Sequence, residues 1–223
     1  MQLCRTAAAV FAESGYRAAT VRDICQRAGA NVAAINYHFG GKEQLYLEVL
    51  RQTQKEQWTM HPLPDSGADV LSPGERLHAF VRSFLSQLLD NRLTGVNIRI
   101  MAREMIDPTP ALDAVVEEFF RPFAESLRAI IRGLMGPAAS EEQVRLCGIS
   151  VVGQCLFFDH CRSVMPRLFP DMRIGPDRLD MLAGHITRYS LAGIREAGRH
   201  RKQAGEFRIS SGRKFKHTRP VTA

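Results

Sequence analysis

The chain has 223 residues, 45% of them hydrophobic and 24% charged, with a formal net charge of +7. That length gives room for a small domain beside a larger one with its own core, and five widely spaced cysteines make neither a disulfide framework nor a CxxC metal pair. With no leader-type segment at the start and no apolar run of membrane-spanning length, a cytoplasmic protein without a membrane partner is expected.

The first helix is expected from about Leu3 to Ser14, with Leu3, Ala7, Val10 and Phe11 as its buried stripe and Gly15 ending it. Thr20 then reads as an N-cap, with Asp23 completing a capping-box pattern. Val21, Ile24, Cys25 and Ala28 fall at i, i+3, i+4 and i+7, one apolar stripe on a two-turn helix. Gly29 stands where the chain must stop and take a positive φ, and Asn31 is a good N-cap for the next helix. There Ile35 and Phe39 share one face, while Val32, Ala33, Asn36 and Tyr37 look the other way. A solvated helix normally carries Lys and Glu on that side. Small residues let the backbone approach base edges, Asn can pair bidentately with adenine, and Tyr can reach a phosphate. The spacing alone also fits an ordinary pair of packed helices. A fourth helix opens at Lys42 and runs to about Lys55, with Leu45, Tyr46, Val49 and Leu50 facing inward.

The wider stretch AAAVFAESGYRAATVRDICQRAGANVAAINYHFGGKEQLYLEVL closely resembles the N-terminal DNA-binding domain of TetR-type bacterial repressors. INYHFGGKEQLYLEVL, and VVGQCLFF at Val151 to Phe158, resemble the CecR-like branch most. The resemblance implies a helix-turn-helix in which Arg22 and Asn36 reach base edges. By it, Thr20, Tyr37, His38 and Lys42 hold phosphates, and Asn31, Val32 and Ala33 complete the DNA-binding set. It also implies that the last two helices pair with their symmetry mates in a four-helix bundle.

Downstream, His61 to Pro73 reads as a loop rich in Pro, Gly, Asp and Ser. Ser72, Pro73 and Glu75 start a helix to about Asp90. A shorter helix near Val96 to Met105 follows, then the breaker Asp107-Pro108-Thr109-Pro110. A long helix runs to about Met135, with Pro122 inside it to kink it. Ser140 and Gln143 cap a helix from about Glu141 to Ser163 whose middle is apolar nearly all round, so several neighbours must cover it. Pro166 to Pro176 reads as a loop, and Asp177 as the cap of a last helix from about Arg178 to Ala197. No strand pattern occurs, so the expected fold is all-α: a helix-turn-helix domain (residues 1–55), a larger helical ligand-binding and dimerisation domain (56–198) and a basic tail (199–223). From Glu196 onward there are eight Lys/Arg and two Asp/Glu, so that stretch carries nearly all of the net charge. The tail reads as a solvated extension or as a basic arm adding phosphate contacts.

The excess apolar surface of the second half suits a dimer interface and a pocket. Gly148 and Gly153 on the penultimate helix, and Gly184, Ala192 and Gly193 on the last, allow close approach of a partner. Polar groups within apolar stretches are the pocket candidates: Arg99, Arg103 and Glu104, and Gln154 and His160 beside Phe157 and Phe158. His160 and Cys161 are adjacent on one helix and cannot turn onto one ion, so no metal or other cofactor is expected. No glycine loop, nucleophile elbow or carboxylate pair suggests an enzyme. The expected protein is a homodimeric repressor on double-stranded DNA, released by a small apolar or amphipathic effector. A regulator of the same fold with no effector is the first alternative, and a metal sensor drawing on His160 and Cys161 the second.

Overall fold

The computed structural model describes residues 2–63, 71–90, 95–172 and 174–199. Residues 200–223 of the expected basic tail, and 64–70 of the expected loop, lie outside the described residues. Among the described residues there is no strand, and no helix is long and apolar enough to cross a membrane.

Four helices open the chain: α1 (Gln2–Ala18), α2 (Val21–Ala28), α3 (Val32–Phe39) and α4 (Lys42–Met60). α1 is broken at Gly15, whose φ of 78° only glycine adopts easily. The chain therefore folds Tyr16 back onto Tyr46, with ring centroids 4.9 Å apart. α4 runs past the expected Lys55 to Met60, because nothing in KEQWTM breaks a helix before Pro62 turns His61 out of the α region. The first core joins Ala7, Val10, Phe11, Ile24, Cys25, Ile35, Leu45, Tyr46 and Leu50 to Ile100, Ala111 and Val115 from further along the chain.

The second half comprises α5 (Pro73–Leu89), α6 (Gly95–Ile106), α7 (Ala111–Val115), α8 (Arg121–Met135), α9 (Glu141–His160), α10 (Met165–Leu168) and α11 (Leu179–Arg199). α5 and α9 start in full capping boxes, Ser72 with Glu75 and Ser140 with Gln143. The expected long helix runs without a break from Ala111 to Met135, as α7, a π turn (Val116–Phe120) and α8, and Pro122 lies inside it directly after the π turn. The wider turn accommodates a residue that has no N–H and whose ring crowds the preceding turn. α9 ends at His160, three residues early. α10 occupies part of the expected loop, and Asp177 lies inside a 3-10 turn (Pro176–Arg178) instead of capping α11. α11 packs across α5, α8 and α9. The second core gathers Leu77, Phe80, Leu85, Leu127, Ile131, Val144, Val151, Cys155, Leu182 and Ile186.

Candidate nucleic-acid interface

Caps fix the two short helices. Before α2, the Thr20 hydroxyl accepts from the Asp23 N–H at 3.1 Å and donates to its carboxylate at 2.7 Å. Gly29 ends α2 at φ 63°, its N–H reaching the Cys25 carbonyl. Asn31 caps α3 by accepting from the Ala33 N–H at 2.9 Å. Ile24, Cys25 and Ile35 are buried and Phe39 is half-buried, which decides what stays outside. Arg22 on α2 is exposed, as are Val32, Ala33, Asn36, Tyr37 and His38 on α3, Tyr37 most of all at 85%. The Tyr37 and His38 rings meet edge-on, centroids 5.1 Å apart. The face carries no carboxylate, and its amide, phenol and small apolar groups suit base edges and phosphates in a major groove.

Thr20 and Asn31 have their side-chain oxygens engaged in caps. Lys42 turns back into the protein, where Nζ donates to the Ala19 carbonyl at 2.9 Å and the Arg17 carbonyl at 3.3 Å. It also lies 4.6 Å from the centre of the Tyr16 ring. It satisfies carbonyls at the end of α1 instead of standing free for a phosphate.

The remaining candidates are not brought together into one pocket. Arg103 reaches out of the second half altogether and donates to the Ala12 and Glu13 carbonyls of α1, at 3.1 and 2.9 Å. Gly15 leaves room for it, since a Cβ there would sit 3.1 Å from the guanidinium. Beside it Glu104, 1% exposed, accepts from the Tyr46 hydroxyl at 2.6 Å and from the Thr109 N–H and hydroxyl at 2.7 and 2.8 Å. Burial and this carboxylate push the Tyr46 phenol well above the usual tyrosine range. Arg51 on α4 pairs with Glu118 of the π turn and holds that carboxyl below its usual range. These joints tie α6 and the π turn to the helix-turn-helix domain. The sequence signal for the Tyr46 joint is a phenol within an apolar stripe, which needs a hydrogen-bond partner.

Arg99 donates to the Gly95 carbonyl of its own helix. Gln154 donates to Ser190 on α11 at 3.1 Å, Phe158 packs on the second core, and Phe157 and His160 are exposed, His160 bonding its own Leu156 carbonyl. Two open hollows, about 550 and 480 Å³, are lined by Arg132 to Glu141 and by Leu168 to Met181, and neither takes in a pocket candidate. Of the candidate interface glycines, Gly148 faces inward: a Cβ there would touch Ile131 and Leu127 of α8, at 3.6 and 3.7 Å. Gly184 lies under Arg188 of its own helix, whereas Gly153 and Gly193 have open space around them.

Residues 3–49 match the model of the bacterial regulatory proteins of the tetR family, and residues 73–194 match that of the C-terminal domain of the HTH-type transcriptional dual regulator CecR. The chain is 30% identical to the dual regulator CecR of Shigella flexneri over 70% of this chain and 74% of that one. It is 46% identical to the transcriptional repressor KstR2 of Mycolicibacterium smegmatis over 51% of this chain and 54% of that one. Among solved structures, a putative fatty acid metabolism regulator of Clostridium perfringens shares the fold with a TM-score of 0.62 at 19% identity, covering 86% of this chain and 98% of that one. The TetR-family regulator PfmR of Thermus thermophilus does so with a TM-score of 0.57 at 24% identity, covering 85% and 97%. An exposed, capped second helix of a helix-turn-helix, matched together with both family models, makes the chain a DNA-binding transcriptional regulator and not an enzyme: it belongs to the TetR family, in the CecR-like branch.

Proposed function

We propose that the chain acts as a homodimeric repressor on a pseudo-palindromic operator and is released from it by a small apolar or amphipathic effector, with no cofactor. Residues 1–55 are the DNA-reading part and residues 56–198 the part that binds the effector and pairs the protomers. The observation that carries this reading is the exposed α3 face, which offers Val32, Ala33, Asn36, Tyr37 and His38 without a competing carboxylate. Arg22 and Asn36 read bases, Tyr37 and His38 hold phosphates, and Thr20, Asn31 and Lys42 position the helices. One recognition helix covers too few base pairs for specificity, so a second copy must supply another.

The surface that supports pairing lies on α9 and α11. Leu146, Ile149, Gly153 and Phe157 follow one another along one side of α9, and all four are exposed, Ile149 at 67%. Met181, Tyr189, Ala192 and Gly193 are exposed on α11. An apolar run of this kind marks an interaction surface. Effector binding shifts the population between two arrangements of α4, and so changes the separation of the two recognition helices. Repression is the role of the similar transcriptional repressor KstR2 of Mycolicibacterium smegmatis.

The test is selection of bound duplexes from a random pool, followed by anisotropy titration and sedimentation velocity. Two chains on one selected duplex are expected. A monomer at micromolar concentration in low salt, or the absence of any enriched sequence, would sink the reading.

A further inference from the structure

By the resemblance Lys42 sets a cation against a phosphate, yet its Nζ is spent on the Arg17 and Ala19 carbonyls. Holding the Arg17 carbonyl brings a second cation to the same corner, between the end of α1 and the start of α4. Arg17 lies three residues before Thr20, the cap of α2, and Lys42 three residues after the end of α3. The corner therefore flanks the helix-turn-helix on both sides. The Arg17 side chain is 78% exposed, and its guanidinium donates to the Asp107 carboxylate at 2.8 Å. Asp107 is itself 59% exposed and directly follows α6. Arg103, the other cation reaching this end of α1, is committed to the Ala12 and Glu13 carbonyls. An ion pair so open to water is weak. A planar guanidinium forks onto phosphate as well as onto carboxylate, so this pair can be exchanged for one with DNA.

We infer that Arg17 is a phosphate-holding residue, taking on DNA the place that Lys42 leaves, and that Asp107 competes with the phosphate for its guanidinium. Arg17 belongs to the first half of the chain and Asp107 to the second. The half that does not read DNA thus carries an anion that sets how firmly the other half grips the backbone. A phosphate contact carries no base information, so the effect falls on every duplex alike. The assignment rests on the proposed reading of α3 as the recognition helix.

Anisotropy titrations of the full chain on the selected duplex and on a scrambled one, between about 50 and 200 mM salt, test it. Arg17→Ala should make the slope of log affinity on log salt shallower by about 0.9 for each protomer bound, and keep the preference for the selected duplex. Arg17→Lys, which keeps the charge, should keep the slope. Asp107→Asn should tighten binding to both duplexes by about 2–5-fold, the range an exposed ion pair allows. Placed in Arg17→Ala, the same substitution should tighten neither, which separates competition for Arg17 from a general loss of negative charge. An unchanged slope in Arg17→Ala, or a slope lost in Arg17→Lys as well, would overturn the phosphate contact. A gain from Asp107→Asn that persists without Arg17, or no gain at all, would overturn the competition. Enrichment of a duplex by the wild type decides the proposed function separately: with that duplex in hand, an unchanged slope removes Arg17 alone.

Discussion

Tyr46→Phe tests the joint between α4 and α6 with the smallest possible change. The substitution keeps the ring packed on Phe11, 4.8 Å between centroids, and removes only the hydroxyl that donates to Glu104 at 2.6 Å. Glu104 is almost wholly buried, and its other oxygen is engaged by Thr109, so one buried carboxylate oxygen loses its donor. A hydrogen bond to a charged group is worth about 1.5–3 kcal/mol, which for a chain of this size lowers Tm by roughly 4–10 °C. Pairing the change with Glu104→Gln in a double-mutant cycle should return a coupling of about 1–2 kcal/mol. The pH dependence has a definite sign. The folded phenol is raised, chiefly by burial and then by Glu104, so its contribution is complete below the unfolded value of 10.0 and is lost as pH rises beyond it. Urea titrations followed by circular dichroism at neutral and alkaline pH are the assay. Tyr46→Phe should start lower and decline less steeply above pH 10. A variant as stable as wild type at neutral pH would refute the buried pair.

Other substitutions separate roles that share a helix. Arg22→Ala and Asn36→Ala should each relax preference at particular base pairs by about 1–3 kcal/mol in competition anisotropy; equal weakening on every sequence would remove them as base readers. Gly148→Leu should cost the fold about 1–3 kcal/mol by crowding Ile131 and Leu127, whereas Gly153→Leu should leave Tm of the protomer unchanged and weaken self-association in sedimentation. Burial pushes the Cys155 thiol up to about 12. Its contribution is therefore present below the unfolded value of 9.0 and lost above it, and at pH 8 a disulfide reagent should reach Cys155 only on unfolding.

Local signals in this chain are read well from sequence because each depends on neighbours only a few residues away. Thr20, Asn31, Ser72 and Ser140 all cap as their spacing implies, and Gly29 and Gly136 end helices at positive φ. The apolar period also shows which side of each helix turns inward, as with Ile35 against Tyr37. It cannot show which helix waits there. Arg99 and Arg103 are one turn apart on α6, and their sequence surroundings look alike. One stays on its own helix while the other crosses to α1, and only the tertiary placement of Gly15 distinguishes them. Gly148 and Gly153 show the same limit from the other side. At about 100° per residue they stand roughly 140° apart on α9, so one is pressed on α8 while the other is open.

Lys42 makes that difference measurable. The resemblance gives its ammonium to a phosphate, and the structure gives it to two backbone carbonyls and the Tyr16 ring. Both uses cannot be made at full strength, because two of its three N–H donors are already engaged at the end of α1. Lys42→Ala should therefore cost about 1–3 kcal/mol of stability, from the two charge-assisted hydrogen bonds and the cation–π contact. The same substitution should leave the salt dependence of duplex binding as it was, since no phosphate is left unneutralised. If Lys42 leaves α1 to hold a phosphate, the slope of log affinity on log salt becomes shallower by about 0.9 and stability hardly changes. Anisotropy titrations between low and moderate salt, run beside thermal denaturation of the same samples, distinguish the two. A shallower slope with an unchanged Tm would return Lys42 to the DNA-contacting set.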